Sequence, residues 1–222
     1  MSERVFLKDP ILDRVPVDHG FGTRGAQPPA GTVRPRQVHG IEVAVFDPVA
    51  GVSPSEADAL ICRSPGQSVA VLTADCVPIL VASIDGVRAV AIHAGWRGLA
   101  AGVIDAAIRD LQAGGSMELR AAVGPHARGC CYEVDEPVLE ALARSFGESL
   151  SGAVRPSRPG HVWLDLESLV LVALARCGLR REDVGTEVAG CTVCDADRFE
   201  SYRRDGAEAG RLIHWIRPRL DA

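Results

Sequence analysis

An α+β fold with sandwich-like layers is predicted by three features of the sequence. Apolar β-type runs outnumber the helical patterns, and the two kinds do not alternate as repeated βαβ units would. The longest pair of runs, between Ser68 and Ser83, also lacks the in–out alternation of a sheet with one wet face, so it reads as strands covered on both sides. A doubly wound α/β sheet is the weaker reading. The chain has 222 residues and shows no repeat, low-complexity tract or long linker, so one domain spanning 1–222 is expected.

Taken in order, Ile41 to Phe46 is strand-like, behind a polar edge from Arg36 to Gly40. The stretch SVAVLTADCVPILVAS at 68–83 holds two apolar runs separated by Thr73-Ala74-Asp75-Cys76. Pro78 lacks the N–H of a central strand, so Asp75 to Pro78 is read as a break or a strand start. Gly86 to Ile92 is another strand, closed by His93-Ala94-Gly95-Trp96-Arg97-Gly98. From Leu99 to Leu111 an apolar stripe (Leu99, Val103, Ile104, Ala107, Ile108, Leu111) predicts one helix, stopped by Gly114-Gly115. Leu119 to Gly124 is a short strand. Pro137 suits the first turn of a helix running to Phe146. Asp165 is a candidate N-cap for an apolar helix from Leu166 to Cys177, with Gly178 as its stop. SLSGAVRPSRPG at 149–160 reads as a surface loop, and Leu212 to Ile216 as a closing strand.

Composition narrows the function classes. The net charge of −5 offers no basic footprint for nucleic acid. No apolar run approaches the roughly 20 residues that span a bilayer. Charges within the first 15 residues interrupt the apolar stretch a signal peptide needs. Seven cysteines, an odd number in a chain too long for a small disulfide scaffold, point to reduced thiols and a cytoplasmic protein. Lys8 is the sole lysine, so the positive charge is almost all arginine. That skew makes any single arginine a weak signal.

Several segments have the residue types of a reactive site. His93 ends a buried strand, is flanked by Gly95 and Gly98, and precedes a helix. Backbone N–H groups and Arg97 there suit an anion, although a plain strand–helix turn would also carry such residues. Asp75-Cys76 sits at the strand break, where an unpaired buried carboxylate would be costly. Taken alone, its cysteine reads more readily as a small buried hydrophobe than as a nucleophile or ligand. Arg36-Gln37-Val38-His39-Gly40 taken singly is a surface turn. The adjacent Cys130-Cys131 read as structural, because neighbouring cysteines seldom face one metal. Cys191-Thr192-Val193-Cys194 has CxxC spacing, but no second CxxC or HxxxH pair completes a structural zinc site. Arg203-Arg204-Asp205-Gly206 is either an anion clamp or a charged turn.

Taken together, these segments resemble one family. QVHG (37–40), ADALIC (57–62), TADCVPIL (73–80), HAGWRGLAAGV (93–103) and GPHARGCCYEV (124–134) occur in order, followed by CT (191–192), SYRRDG (201–206) and AGR (209–211). This is the pattern of the YfiH/YlmD family, also called the laccase-domain or polyphenol-oxidase family. The resemblance implies an α-β-β-α sandwich, similar to the deamidase domain of cytotoxic necrotizing factor toxins. It implies a bound zinc, or copper at the same site, held by His39, Cys76 and His93. It also implies a purine nucleoside enzyme, cleaving adenosine, inosine, guanosine or methylthioadenosine with phosphate, or deaminating adenosine. Arg24, Arg97, Gly95 and Gly98 are the expected contacts to the purine nucleoside and phosphate. The family usually places a longer segment between its STR-like motif, here Phe21-Gly22-Thr23-Arg24, and QVHG; only 25–36 lie between them in this chain.

Two imidazoles and one thiolate would leave a tetrahedral ion one open position, the pattern of a catalytic site. A rival enzyme reading makes Cys76 a nucleophile with His93 as base, in an amidase or hydrolase acting on a peptidoglycan precursor. A third reading is a metal-binding remnant without activity. Multicopper oxidation is excluded by arithmetic: it needs about ten histidines, largely in HxH pairs, and the chain has six with no such pair.

Overall fold

The apolar runs become strands covered on both sides. The computed structural model describes residues 5–46, 56–113, 115 and 117–219. In chain order it holds β1 (Phe6–Leu7), β2 (Val17–Gly22), β3 (Val43–Val45), β4 (Ala59–Cys62), β5 (Val69–Thr73), β6 (Val77–Ser83) and β7 (Ala89–Ala94). Then come α1 (Trp96–Ala101), α2 (Val103–Leu111), β8 (Leu119–Val123), β9 (Glu133–Asp135), α3 (Glu136–Phe146), β10 (Val154–Pro156) and β11 (His161–Leu164). The order ends with α4 (Leu166–Arg176), β12 (Val184–Gly185), α5 (Tyr202–Asp205) and β13 (Leu212–Pro218).

The strands form a six-stranded sheet ordered β12-β8-β6-β7-β4-β3, a four-stranded sheet ordered β1-β2-β13-β5, and a small sheet β10-β11-β9. One face of the large sheet packs Ile79, Val81, Val90 and Ile92 against Ile104 and Ile108 of α2 and Leu169 and Val170 of α4. Its other face packs Leu60, Leu80 and Ala91 against Val17, Phe21, Val69, Val71 and Ile216 of the four-stranded sheet. Helices, sheet and sheet therefore stack as an α+β fold. On the outer face of the four-stranded sheet, Phe6 meets Trp215 edge-on at 5.8 Å, and Lys8 and Arg217 lie over the same indole.

Three differences from the sequence reading have simple causes. The helix expected from Leu99 to Leu111 is two helices, because Gly102 adopts a left-handed φ of 95° that ends α1 and begins α2. Of the stop expected after it, Gly115 is described and Gly114 lies outside the described residues. The stretch at 149–160 is not a plain loop: it contains a 3₁₀ turn (Gly147–Ala153) and β10, whose partner β11 follows a tight turn. The strand expected from Gly86 to Ile92 runs instead from Ala89 to Ala94, so His93, near its end as expected, is paired with Pro78 of β6. The break at Asp75 to Pro78 is present, and Pro78 is tolerated because it is the second residue of β6. Asp165 caps α4 as expected, accepting from the N–H groups of Glu167 and Ser168.

Three histidines, His19, His126 and His214, are buried within this framework. Asp9 N–H donates to His19 Nε2 at 3.0 Å, which requires that nitrogen to carry no proton. Burial lowers His19 and His126 to about 4 and His214 to about 3. An unfolded histidine titrates near 6.5, so below that pH the unfolded chain binds more protons than the folded one. Their stability contribution is complete above about pH 6.5 and is lost as pH falls toward about 4, at about 1.4 kcal/mol per pH unit for each histidine. Urea unfolding at about pH 7 and pH 5 should therefore show a loss of several kcal/mol. A His214→Gln chain should lose less over the same interval.

Candidate metal centre

The site forms where the two large sheets join. β5 belongs to the four-stranded sheet and β6 to the six-stranded one, so Ala74-Asp75-Cys76 is the crossing between them. β4 runs antiparallel to β7, pairing Ala59 with Ile92, which sets Asp58 beside His93. His93 N–H donates to Asp58 O at 2.7 Å, and the His93 Nδ1 lies 2.7 Å from Asp58 Oδ1. That carboxylate, fully buried, also accepts from the backbone N–H groups of Val38 (3.1 Å), His39 (3.0 Å) and Gly40 (2.7 Å). One side chain thus fixes the imidazole of His93 and the backbone that presents His39.

The outcome is a three-donor cluster. His39, Cys76 and His93 each offer a ligand atom within 4.8 Å of the others. Cys76 Sγ is 3.9 Å from His39 Nε2, and the two imidazoles meet edge to face at 4.8 Å. With Nδ1 of His93 committed to Asp58, its Nε2 is left for the cluster, the usual orientation of a carboxylate-held ligand histidine. A Cβ at Gly95 would stand 3.0 Å from Cys76 Sγ and 3.1 Å from a carbon of His39, so glycine lets the chain close under the cluster. Among the described residues, the non-glycine positions with left-handed backbone are His39 (φ 61°) and Asp75 (φ 87°). Both are held there by hydrogen bonds. Asp75 accepts from Thr192 Oγ1 at 2.6 Å and from Arg203 N–H at 2.5 Å. Backbone strain at two site residues is what a functional constraint produces.

Charge is balanced within the cluster. Burial raises the Cys76 thiol, but bonds and charge from His39 and His93 outweigh it and bring it down to about 7. Burial lowers His93, yet the Asp58 bond and the Cys76 sulfur raise it to about 9. Burial also works against an ionised Asp58, and the bonds from His93, Gly40 and Val38 hold it below the usual carboxylate range. A soft thiolate beside two imidazoles in a space this small fits a zinc-class or copper ion. The four other histidines are elsewhere: His19, His126 and His214 are in the core and His161 opens β11. Among the described residues, the histidines for a multinuclear copper cluster are not assembled.

The cluster opens into a cavity of about 630 Å³. Arg34, Arg36, Arg97, Arg203 and Arg211 line it, together with Gln37, Trp96, Tyr132 and Tyr202. Arg36 pairs with Glu56. Among the described residues, Arg34, Arg97, Arg203 and Arg211 are paired with no carboxylate. Arg97 stacks on Trp96 at 4.4 Å and Arg203 on Tyr132 at 5.1 Å. Cavity walls of aromatic faces and uncompensated guanidinium groups suit a flat ring bearing or meeting an anion.

Not every residue expected at the site lies there. Arg24 is outside the cavity lining: it pairs with Glu200 at 3.4 Å and donates to Phe199 O at 3.2 Å, bracing the chain before α5. Gly95 and Gly98 do not line the cavity either. Gly98 sits inside α1 against Gly40 O, where a Cβ would stand 2.9 Å away, and α1 has only six residues. Both glycines allow close packing there. Conversely, Asp58, Tyr132, Arg34 and Arg211 were not singled out as site residues from sequence, and Arg203, read as part of either an anion clamp or a charged turn, lines the cavity. Asp58 stands in ADALIC, but its meaning depends on pairing with a strand about 35 residues away.

Comparison with known proteins agrees with this architecture. A family model described as multi-copper polyphenol oxidoreductase laccase matches residues 22–219. A purine nucleoside phosphorylase of Xylella fastidiosa (strain 9a5c) is 38% identical over 189 residues, covering 82% of this chain and 70% of that protein. Adenosine deaminase RL5, from an unknown prokaryotic organism, is 34% identical over 195 residues, covering 83% of this chain and 74% of its own length. The crystal structure of Neisseria meningitidis protein NMB0706 superposes with a TM-score of 0.83 at 28% identity, covering 96% of this chain and 99% of that one. YlmD from Geobacillus stearothermophilus shares the fold with a TM-score of 0.82 at 23% identity, covering 98% and 100%. The chain belongs to the laccase-like YfiH/YlmD family.

Proposed function

We propose that this chain is a zinc-dependent purine nucleoside phosphorylase that cleaves adenosine, inosine, guanosine or methylthioadenosine, with adenosine deamination as a second activity. The observation that carries this reading is the set of four arginines, without carboxylate partners among the described residues, around the His39–Cys76–His93 cluster. The names of the X. fastidiosa relative and of RL5 support the two reactions.

His39, Cys76 and His93 would hold the ion. When bound, zinc lowers the pKa of a coordinated water to about 7 and polarises oxygen or nitrogen atoms of a substrate. The remaining work falls to the protein. Trp96, Tyr132 and Tyr202 offer faces for the purine, and burial raises the Tyr132 phenol to about 12, so it stays a hydrogen-bond donor at neutral pH. Arg97 and Arg203 neutralise phosphate and orient it towards the sugar. In phosphorolysis a phosphate oxygen bonds to C1′ as the bond from C1′ to the purine breaks, and the base leaves with that electron pair. In deamination water adds at C6 and ammonia departs.

Incubating the protein with adenosine, inosine and methylthioadenosine, with and without phosphate, tests the reading. Free base and the corresponding sugar 1-phosphate that form only with phosphate identify the phosphorylase; ammonia without phosphate identifies the deaminase. No product from any of them would overturn the proposal. Arg97→Ala should raise KM for phosphate by about 10–100-fold, the worth of one charge-assisted hydrogen bond, with little change in KM for nucleoside.

A further inference from the structure

A second group of metal-type donors lies outside the cavity lining. Cys130 and Cys131, in the turn after β8, meet Cys191 and Cys194 from the loop before α5, and the four sulfurs all lie within 4.8 Å of one another. Cys194 Sγ is 3.1 Å from that of Cys131 and 3.6 Å from that of Cys130. No disulfide joins any of them. A tetrahedral zinc with Zn–S near 2.3 Å requires sulfurs about 3.8 Å apart, so only small adjustments separate this cluster from a coordination shell. The expectation that no second ligand pair completes the CxxC is corrected: the adjacent pair completes it, since both of its sulfurs approach Cys194.

The two loops are fastened before any ion arrives. His126 and Cys191 form a parallel β-bridge, with His126 N–H donating to Gly190 O at 3.1 Å and Thr192 N–H to His126 O at 2.9 Å. Arg204 donates to the carbonyls of Thr192 and Val193, and Arg128 to that of Ala189. Such preorganisation lowers the entropy cost of gathering four thiols.

We propose that Cys130, Cys131, Cys191 and Cys194 form a second metal site, closed by four thiolates, that takes a zinc-class divalent cation. On binding, each thiol passes its proton to solvent and its sulfur lone pair to the metal, with no redox change. Four protein ligands leave no open position, so the ion is structural. Its location gives it a task. Thr192 lies between two of the ligands and holds Asp75, the neighbour of Cys76, while Tyr132 follows Cys131 and lines the cavity. The ion would pin the cavity wall to the loop that shapes the cluster. This site stands independently of the phosphorylase reading.

The test uses the full chain carrying Cys76→Ala, which removes a donor from the first cluster. Purified under reducing conditions with zinc and then freed of excess metal, it should retain about one equivalent of zinc per chain. Loaded with cobalt instead, it should show the intense sulfur-to-metal charge-transfer bands of a tetrathiolate, and these should fall sharply in a chain also carrying Cys130→Ser. A Cys76→Ala chain that keeps no zinc and gives no such bands would overturn the proposal. So would cobalt bands unchanged by Cys130→Ser, or an intact mass two hydrogens low with a peptide map joining Cys131 to Cys194, since that pair would then be a disulfide.

Discussion

Cys76→Ala should abolish nucleoside turnover and empty the His39–Cys76–His93 cluster of metal. The physical reason lies in the donor set. Cys76 is the single anionic donor among the three, and its thiol sits near 7 because His39 and His93 outweigh the burial that would raise it. Without it, two imidazoles remain, one with its ring fixed by Asp58 and the other on a strained left-handed residue. Two such ligands hold a divalent ion poorly. Turnover alone would not separate a ligand from a nucleophile, since either loss is fatal. Metal content does. The ligand reading expects the first ion to disappear with the activity, measured by elemental analysis against the wild-type chain. A Cys76→Ala protein with wild-type zinc content would refute the ligand set.

Asp58→Asn should be nearly as damaging, although Asp58 itself is not a ligand. Its carboxylate accepts from three consecutive backbone N–H groups and faces His93 Nδ1. An amide keeps one acceptor oxygen and turns an NH₂ group towards donors that need a partner. Each buried donor left without one costs about 1–3 kcal/mol. Loss of an outer partner of a ligand histidine costs roughly 10–100-fold in metal affinity or activity. Zinc affinity, measured by chelator competition, should therefore fall by about that factor, and the melting temperature should fall with it. Unchanged affinity would mean that Asp58 does not hold the cluster.

The legibility of this site follows the distance over which each feature acts. His93 had a local signal, a polar residue where an apolar run ends in glycines. Cys76 had only a weak one, its place at the strand break beside Asp75, and gained its ligand reading from the combined motif pattern. The cap at Asp165 and the split of 68–83 into two strands were readable from local signals. His39 took on meaning only with the combined motif pattern, since alone QVHG is a turn. Asp58 was silent because its role depends on the register of β4 against β7. The four-cysteine cluster was hidden because its halves are about 60 residues apart and one half lacks the CxxC spacing. Gly102 was passed over inside the helix expected from Leu99 to Leu111, since nothing local distinguishes a tolerated helix glycine from a left-handed break. Gly95 and Gly98 were expected to bring backbone N–H groups to an anion and Arg24 to pair with it, whereas Arg24 pairs with Glu200 and the glycines allow close packing.

The most direct test of the account is turnover followed as zinc is restored to chelated protein, with alkylation of Cys76 reporting how much of the cluster is filled. Metal coordination protects the thiolate, so the two readings share one sample. The account predicts no phosphate-dependent release of base from the stripped chain, and activity that rises in proportion to the fraction of Cys76 shielded. Full activity in stripped protein, destroyed when Cys76 is alkylated, would contradict it and make that sulfur a nucleophile.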